Sequence, residues 1–178
     1  LYNASAYSPA IFLTLDEDLD DDGTDYFEQT CSGVEYGQSG GDNLVDSNKY
    51  FLELAWQDDD SFARDDLTLI HESQITVSDD EIKFVVFSED VTAPKILTFD
   101  IPVIDDEDDV DDDLFNMRFL NMHPTINAID VYLSKSDETF NEAILLGQYN
   151  YGELADNAKF DQDDYIFYIT AADSSDVV

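Results

Sequence analysis

The stretch Ala128-Ile129-Asp130-Val131-Tyr132-Leu133 repeats the pattern of Ala10-Ile11-Phe12-Leu13-Thr14-Leu15. In both, the apolar residues Ile, Val or Leu recur at every second position, the period of a strand with one buried face. The match extends backwards without a gap, so that Leu1-Tyr2-Asn3-Ala4-Ser5 falls on Phe119-Leu120-Asn121-Met122-His123. It resumes further on, where Val45-Asp46-Ser47-Asn48-Lys49-Tyr50-Phe51-Leu52-Glu53-Leu54 falls on Phe160-Asp161-Gln162-Asp163-Asp164-Tyr165-Ile166-Phe167-Tyr168-Ile169. Apolar positions meet apolar positions in both blocks, and the offset changes only from 118 to 115. We read two copies of one β-unit.

The rest of the chain keeps the same period. Tyr50/Leu52/Leu54/Trp56, Leu67/Leu69, Ile82/Phe84/Val86 and Leu97/Phe99/Ile101 each place alternate apolar side chains on one expected inward face. Clusters of Gly, Asn, Ser and Asp bound these runs, as strands require. The one helical candidate, Glu138-Thr139-Phe140-Asn141-Glu142-Ala143, is a turn or so long. The expected class is all-β, as antiparallel sandwiches. Phe51, Ile166 and Tyr168 fall on the outward register, which reads either as a face packed on a neighbouring domain or chain or as chance in the pattern.

Between the copies runs Asp105-Asp106-Glu107-Asp108-Asp109-Val110-Asp111-Asp112-Asp113. Eight carboxylates in nine residues repel one another into an extended strut. The expected organisation is therefore a first repeat over residues 1–104, a linker over 105–113 and a second repeat over 114–178. The first repeat carries 24 carboxylates against four cations, and the second 11 against three. After Trp56 the first repeat continues through three further strand candidates to Ile101, whereas Val178 corresponds to about Ala63. Some 40 residues that complete the first repeat have no equivalent in the second, which leaves an uncovered apolar face and bare edges. Two expectations stand: a longer chain supplies the missing strands, or another chain does.

Composition excludes several function classes. The 178 residues contain 43 Asp plus Glu and seven Lys plus Arg, a formal charge of −36. Nucleic-acid binding needs a basic footprint, and an anionic membrane surface would repel this chain, so neither is an expected partner. An apolar fraction of 43% with 13% aromatic residues separates it from acidic disordered chains. The single Cys31 forms no intrachain disulfide. The sequence opens at Leu1-Tyr2-Asn3, already strand-like and without an initiator Met, as expected of a mature or partial chain whose export signal has been removed.

At the repeat blocks the chain resembles a known family. Asn121-Met122-His123-Pro124, preceded by Arg118 and followed by Ala128-Ile129-Asp130-Val131-Tyr132-Leu133, is similar to the opening motif of the bacterial domain-of-unknown-function family 4397. In the first copy Asn3-Ala4-Ser5 and Pro9-Ala10 fit, while Phe12 stands where the motif has Asp. Tyr149-Asn150-Tyr151-Gly152-Glu153-Leu154 and Tyr165-Ile166-Phe167-Tyr168 resemble its later strands. The resemblance implies tandem immunoglobulin-like sandwiches in exported bacterial proteins of the cell envelope or surface, some lipid-anchored through an N-terminal segment. Very acidic versions are typical of marine Gram-negative species. The family has no established activity, so the resemblance implies an extracellular or envelope location and protein or surface-matrix partners, self-association included.

Candidate chemistry is sparse. Asp18-Leu19-Asp20-Asp21-Asp22-Gly23 places carboxylates at positions 1, 3 and 5 and Gly at 6, as Ca²⁺ loops do, so Asp18, Asp20 and Asp22 are the candidate metal ligands. Position 12, which an EF-hand fills with Glu, is Gln29, and no helices flank the run; it also reads as an acidic hairpin loop. His71 and His123 stand alone, Cys31 has no neighbouring base or cation, and Gly33, Gly37, Gly40 and Gly41 lack the spacing and Lys of a phosphate cradle. With 43 carboxylates, a pair at glycosidase spacing carries no information. No catalytic residue is assigned. The readings are a non-enzymatic interaction module, a structural subunit that shares strands with its neighbours, and a weak Ca²⁺- or carbohydrate-binding protein. The Ca²⁺ reading predicts that millimolar Ca²⁺ raises the melting temperature and that Asp20→Ala with Asp22→Ala removes the rise. A wild-type melting temperature indifferent to Ca²⁺ would contradict it.

Overall fold

A computed structural model describes residues 1–6, 8–17, 27–40, 45–57, 66–103 and 114–174. Among them the chain is all-β and divides into two compact units, Leu1–Val103 and Ile104–Val178. The acidic run 105–113 lies outside the described residues.

In the first unit β2 (Ile11–Asp16) is flanked by β3 (Glu28–Thr30) and by β4 (Asn48–Trp56), which in turn pairs with β5 (Thr68–Val77); every pairing is antiparallel. A second sheet joins β1 (Tyr2–Asn3), β6 (Glu81–Ser88) and β7 (Lys95–Pro102). Here β1 runs parallel to β6, with Tyr2 opposite Val86 and Asn3 opposite Phe87. One buried cluster joins the sheets: Ile11, Leu13 and Leu15 of β2, Tyr50, Leu52 and Leu54 of β4, Val77 of β5, and Val85 and Phe87 of β6. The unit is thus a β-sandwich, with alternate residues of facing strands as its core.

The inward registers of β2 and β4 agree with the alternation in the sequence. Three others are corrected. In β7 the pairing sets Ile96 opposite Phe87, and Leu97, Phe99 and Ile101 opposite Val86, Phe84 and Ile82, so Ile96 packs against the cluster and the expected face is turned the other way. In β5 the pairing shifts between Leu54/His71 and Ala55/Leu69, so Ile70 is the extra residue of a bulge. The bulge turns Leu69 outward, where it is 53% exposed, while Ile70 packs against the cluster. In β6 the cluster takes Val85 and Phe87 instead of Ile82, Phe84 and Val86. Both registers of β6 are apolar, so alternation could not choose between them. Val86 is buried beside β1, Phe84 stacks on Phe99 across the strand pair, and Ile82 is exposed.

The second unit holds a sheet in which β9 (Ala128–Lys135) lies between β10 (Ile144–Asn150) and β12 (Tyr165–Ala171), and a ribbon of β8 (Leu114–Met117) with β11 (Ala158–Asp161). Its β9, β10 and β12 repeat pairings made by β2, β3 and β4 of the first unit. Leu13 pairs with Leu54 as Val131 pairs with Ile169, and Thr14 pairs with Thr30 as Tyr132 pairs with Leu145. The side chain of buried Asn3 donates to the Val34 carbonyl at 3.0 Å and accepts from the Ser5 amide at 3.0 Å. Asn121, also buried, donates to the Tyr149 carbonyl and accepts from the His123 amide at the same distances. Gly37 and Gly152 share a φ near +75° (74° and 76°), and their amides donate to the Asn3 and Asn121 carbonyls at 2.8 and 2.7 Å. Any residue with a Cβ would be strained at that turn, by about 1 kcal/mol or more. Tyr50 and Tyr165, each opening its strand region, donate their hydroxyls to the carbonyls of Asp46 and Asp161, four residues upstream.

The copies differ where the offset changes. Gln29 follows Leu15 by 14 positions, whereas Ile144, in the equivalent place, follows Leu133 by 11. The first copy therefore carries three extra residues in the connection from β2 to β3, the part of the chain that includes Asp18, Asp20 and Asp22. The second copy's shorter loop holds a single 3-10 turn, Phe140–Glu142, where one helical turn was expected. The Glu142 carboxylate accepts from the Thr139 amide at 2.9 Å and hydroxyl at 3.0 Å, which holds its pKa below the usual range.

Candidate functional site

Among the described residues, each candidate side chain has a local structural role. Asp18, Asp20 and Asp22 lie outside the described residues. The strands that carry their loop form a hairpin, with Asp16 opposite Glu28 and the Glu17 amide donating to the Phe27 carbonyl at 3.0 Å. Among the described residues no three His, Cys, Asp or Glu side chains gather as a metal site would require. Cys31 is buried against the core cluster. His71 is half-buried, with Nε2 3.1 Å from the Ser73 hydroxyl. His123 is a turn residue: its Nδ1 accepts from the amides of Thr125 at 3.3 Å and Ile126 at 3.1 Å, which caps the turn after the Asn121 motif.

The first unit contains a cleft of about 830 Å³ between its sheets, lined by Leu13, Leu15, Leu52, Val77, Val85 and Lys83 among others. Lys83, largely withdrawn from solvent, pairs with Asp100 and with Glu81 at 3.2 Å. Burial alone would lower its pKa, but the two carboxylates outweigh it and hold the ammonium above its ordinary value. With both partners engaged, Lys83 serves the sandwich rim and is not poised as a base or nucleophile.

The second unit presents the distinctive surface. Its inward register carries Ile129, Val131 and Leu133 on β9, all buried, and Phe167 and Ile169 on β12. Phe167 and Ile169 stand where Leu52 and Leu54 stand in the first unit. Leu52 and Leu54 are 1% and 0% exposed, whereas Phe167 and Ile169 are 40% and 38% exposed. The reason is the cover. In the first unit β6 lays Val85 and Phe87 over this face, and β5 closes the outer edge of β4. Among the described residues of the second unit, no strand pairs with the outer edge of β12.

Aromatic residues shield part of the face instead. Phe119 meets Phe167 edge-on at 5.3 Å and stacks with Tyr149 at 6.2 Å. Phe115 and Phe160, opposite each other in the β8–β11 ribbon, gather with Tyr165 at centroid distances of 5.8–6.3 Å. Such pairs contribute about 0.5–1.5 kcal/mol each beyond area burial. On the opposite face Phe140 packs between Tyr132 and Tyr168, at 5.1 Å from each, so Tyr168 is occupied within its own unit, and Ile166 beside it is exposed.

The turn bordering the open face is firmly held. The amide and side-chain nitrogens of Asn150 both donate to Glu153 at 2.9 Å, which holds that carboxyl below the usual carboxylate range. Because the folded value is depressed, this contribution is present at neutral pH and fades as acid protonates the folded carboxylate. Tyr149 is pushed the other way, upward, by burial and by the charges of Glu153 and Asp156.

The difference in cover predicts unequal costs for equivalent truncations. Leu54→Ala should destabilise the first unit by about 2–5 kcal/mol, as core deletions do. Ile169→Ala, on a face already partly wet, should cost the second unit under about half as much, read by chemical denaturation. Equal costs would contradict an open face.

Comparison with protein-family models, with curated proteins and with solved structures finds no match to this chain.

Proposed function

We propose that this chain is a non-enzymatic module of the bacterial cell envelope or outer surface that acts by holding another protein. The observation that carries the reading is the apolar face at Phe167 and Ile169, displayed on a unit whose twin keeps the same positions dry. An exposed apolar sheet face is costly in a monomer and is the usual mark of an interaction surface. The chemistry found elsewhere agrees with a binding role: the histidines serve local hydrogen bonds, the thiol is in the core, and Lys83 is neutralised by its partners.

Two further features support the architecture. The Tyr50 and Tyr165 hydroxyl bonds to a carbonyl four residues upstream resemble the tyrosine corner of immunoglobulin-like sandwiches. The Asn121–Pro124 motif, on which the family resemblance rests, forms the tight turn leading into β9. In this reading the units are tandem immunoglobulin-like repeats, the second with its cover supplied by its partner. The charge of −36 fits a protein working in salty, divalent-rich surroundings, where counterions screen its self-repulsion.

A second reading shares the same observation. The unpaired outer edge of β12 suits a structural subunit of a multi-copy extracellular assembly, in which chains share strands. Both readings put the protein outside the cytoplasm. Treating intact cells of the producing organism with a membrane-impermeant amine reagent should label the protein at exposed lysines such as Lys135. Labelling that appears only after lysis would contradict both.

A further inference from the structure

We propose that the cleft between the sheets of the first unit binds a small organic cation with an apolar body. The body lies against Leu15, Leu52, Val77 and Val85, and the ammonium faces the carboxylates of Asp46 and Asp79. The site shares no residue with the face of the second unit, so it stands or falls apart from the interaction reading.

The cleft lies at the end of the sandwich where β4 begins and β5 turns into β6. There Asn48 pairs with Val77, the last residue of β5, and the Val103 amide, just past β7, donates to the Asp80 carbonyl at 2.9 Å. The walls come from different sheets, with Leu15, Leu52 and Val77 on one side and Val85 on the other. All four belong to the buried cluster, so an apolar group that enters the cleft meets the unit's own core. Its volume of about 830 Å³ falls within the range of small-molecule sites, roughly 300–1,000 Å³. The mouth is polar and held in place. The Ser47 hydroxyl donates to Asp79, which ties the start of β4 to the turn between β5 and β6. The Tyr50 hydroxyl donates to the Asp46 carbonyl at 2.7 Å and fixes the other side. An apolar floor with a few convergent polar groups at its mouth is the pattern of a ligand site, and here little ordering is left for the ligand to impose.

The charge of the mouth selects the head group. The side chains of the lining include three carboxylates, Asp46, Asp79 and Glu81, and one cation, Lys83. Lys83 is committed to Glu81 at 3.2 Å and to Asp100, so the lining keeps no spare cation for an anionic head. Among the described ion pairs neither Asp46 nor Asp79 takes part, and both residues are exposed. Tyr50, behind the mouth, registers the same field: burial, and then the charges of Glu17 and Asp46, hold its hydroxyl above the ordinary value. A cationic head is therefore attracted and a carboxylate or phosphate head repelled. Because these carboxylates face solvent, salt screens the preference, which is strongest at low ionic strength.

The probes are octylammonium, octanol and octanoate, which share one apolar body and differ in the head. Titrated into the full chain by calorimetry at low ionic strength, octylammonium should bind saturably at one site. Octanoate should bind about tenfold more weakly or worse, with octanol between them. Ethylammonium, which keeps the charge and lacks the body, should show no saturable binding. Asp46→Asn with Asp79→Asn, at exposed positions, should bring octylammonium down to the level of octanol and leave octanol unchanged. Ile75→Trp and, separately, Val45→Trp enlarge half-buried side chains of the lining and should weaken octylammonium and octanol alike by about tenfold, by filling the space the alkyl group needs. Far-ultraviolet circular dichroism checks that these two variants fold, and the asparagine pair tests the mouth without them. Absent or non-saturable binding of octylammonium overturns the proposal. So does octanoate binding as tightly as octylammonium, which would mean that Lys83 receives the head. Binding that survives in folded tryptophan variants, or that is lost on Phe167→Ser with Ile169→Ser, would place the alkyl group elsewhere and equally overturn it.

Discussion

An apolar sheet face has to be covered, and the two units meet that constraint to different extents. The first unit gathers Leu52 and Leu54 with Val85 and Phe87 in one cluster, so that both leucines are buried. The second unit holds the same face with the same backbone bonds but, among the described residues, has Phe119 and the Phe115–Phe160–Tyr165 cluster against it in place of a strand. At about 25 cal/mol per Å² of apolar area, leaving Phe167 and Ile169 part-wet forfeits stabilisation that a covering strand would restore. The same sequence pattern thus has a covering strand in one unit and, among the described residues of the other, none. The functional proposal follows from that contrast and not from any single residue.

The charge works on a different level. Among the described residues a few carboxylates cap local structure, as Glu142 and Glu153 do. The described ion pairs, Lys83 with Glu81 and Asp100 and Lys135 with Asp163, use two of the seven cations. The remaining negative charge discourages edge-to-edge association of like chains, a useful property for a protein with an open strand edge. It also selects among partners, since whatever covers the open face must tolerate that field.

Much of the fold was legible because the repeat was. Alternation placed β2, β4, β9 and β12 in their registers, and the matched blocks foreshadowed pairings such as Leu13 with Leu54 and Val131 with Ile169. Alternation failed at the Ile70 bulge, which shifts the period by one, in β6, where both registers are apolar, and in its partner β7, whose register follows that of β6. The Tyr36-Gly37 and Tyr151-Gly152 turns, equivalent in space, were not aligned from sequence. The aligned blocks stopped short of them on both sides, although the dipeptide itself was the available signal. The partial shield over Phe167 was not legible, because Phe115 and Phe119 reach β12 from a segment distant in sequence. The acidic segment with Asp18, Asp20 and Asp22 proved informative as the place where the copies differ in length.

The central claim, that one β-unit occurs twice and that the described residues cover its face in only one copy, is tested most directly by residue-resolved hydrogen exchange on the chain alone. Equivalent strands are compared: β4, paired on both sides, and β12, paired on one. Outward-facing amides of β12 should exchange at least tenfold faster than their counterparts in β4, while amides bonded to β9 and β2 exchange at similar rates. Equal protection of β4 and β12 along both edges would contradict the account.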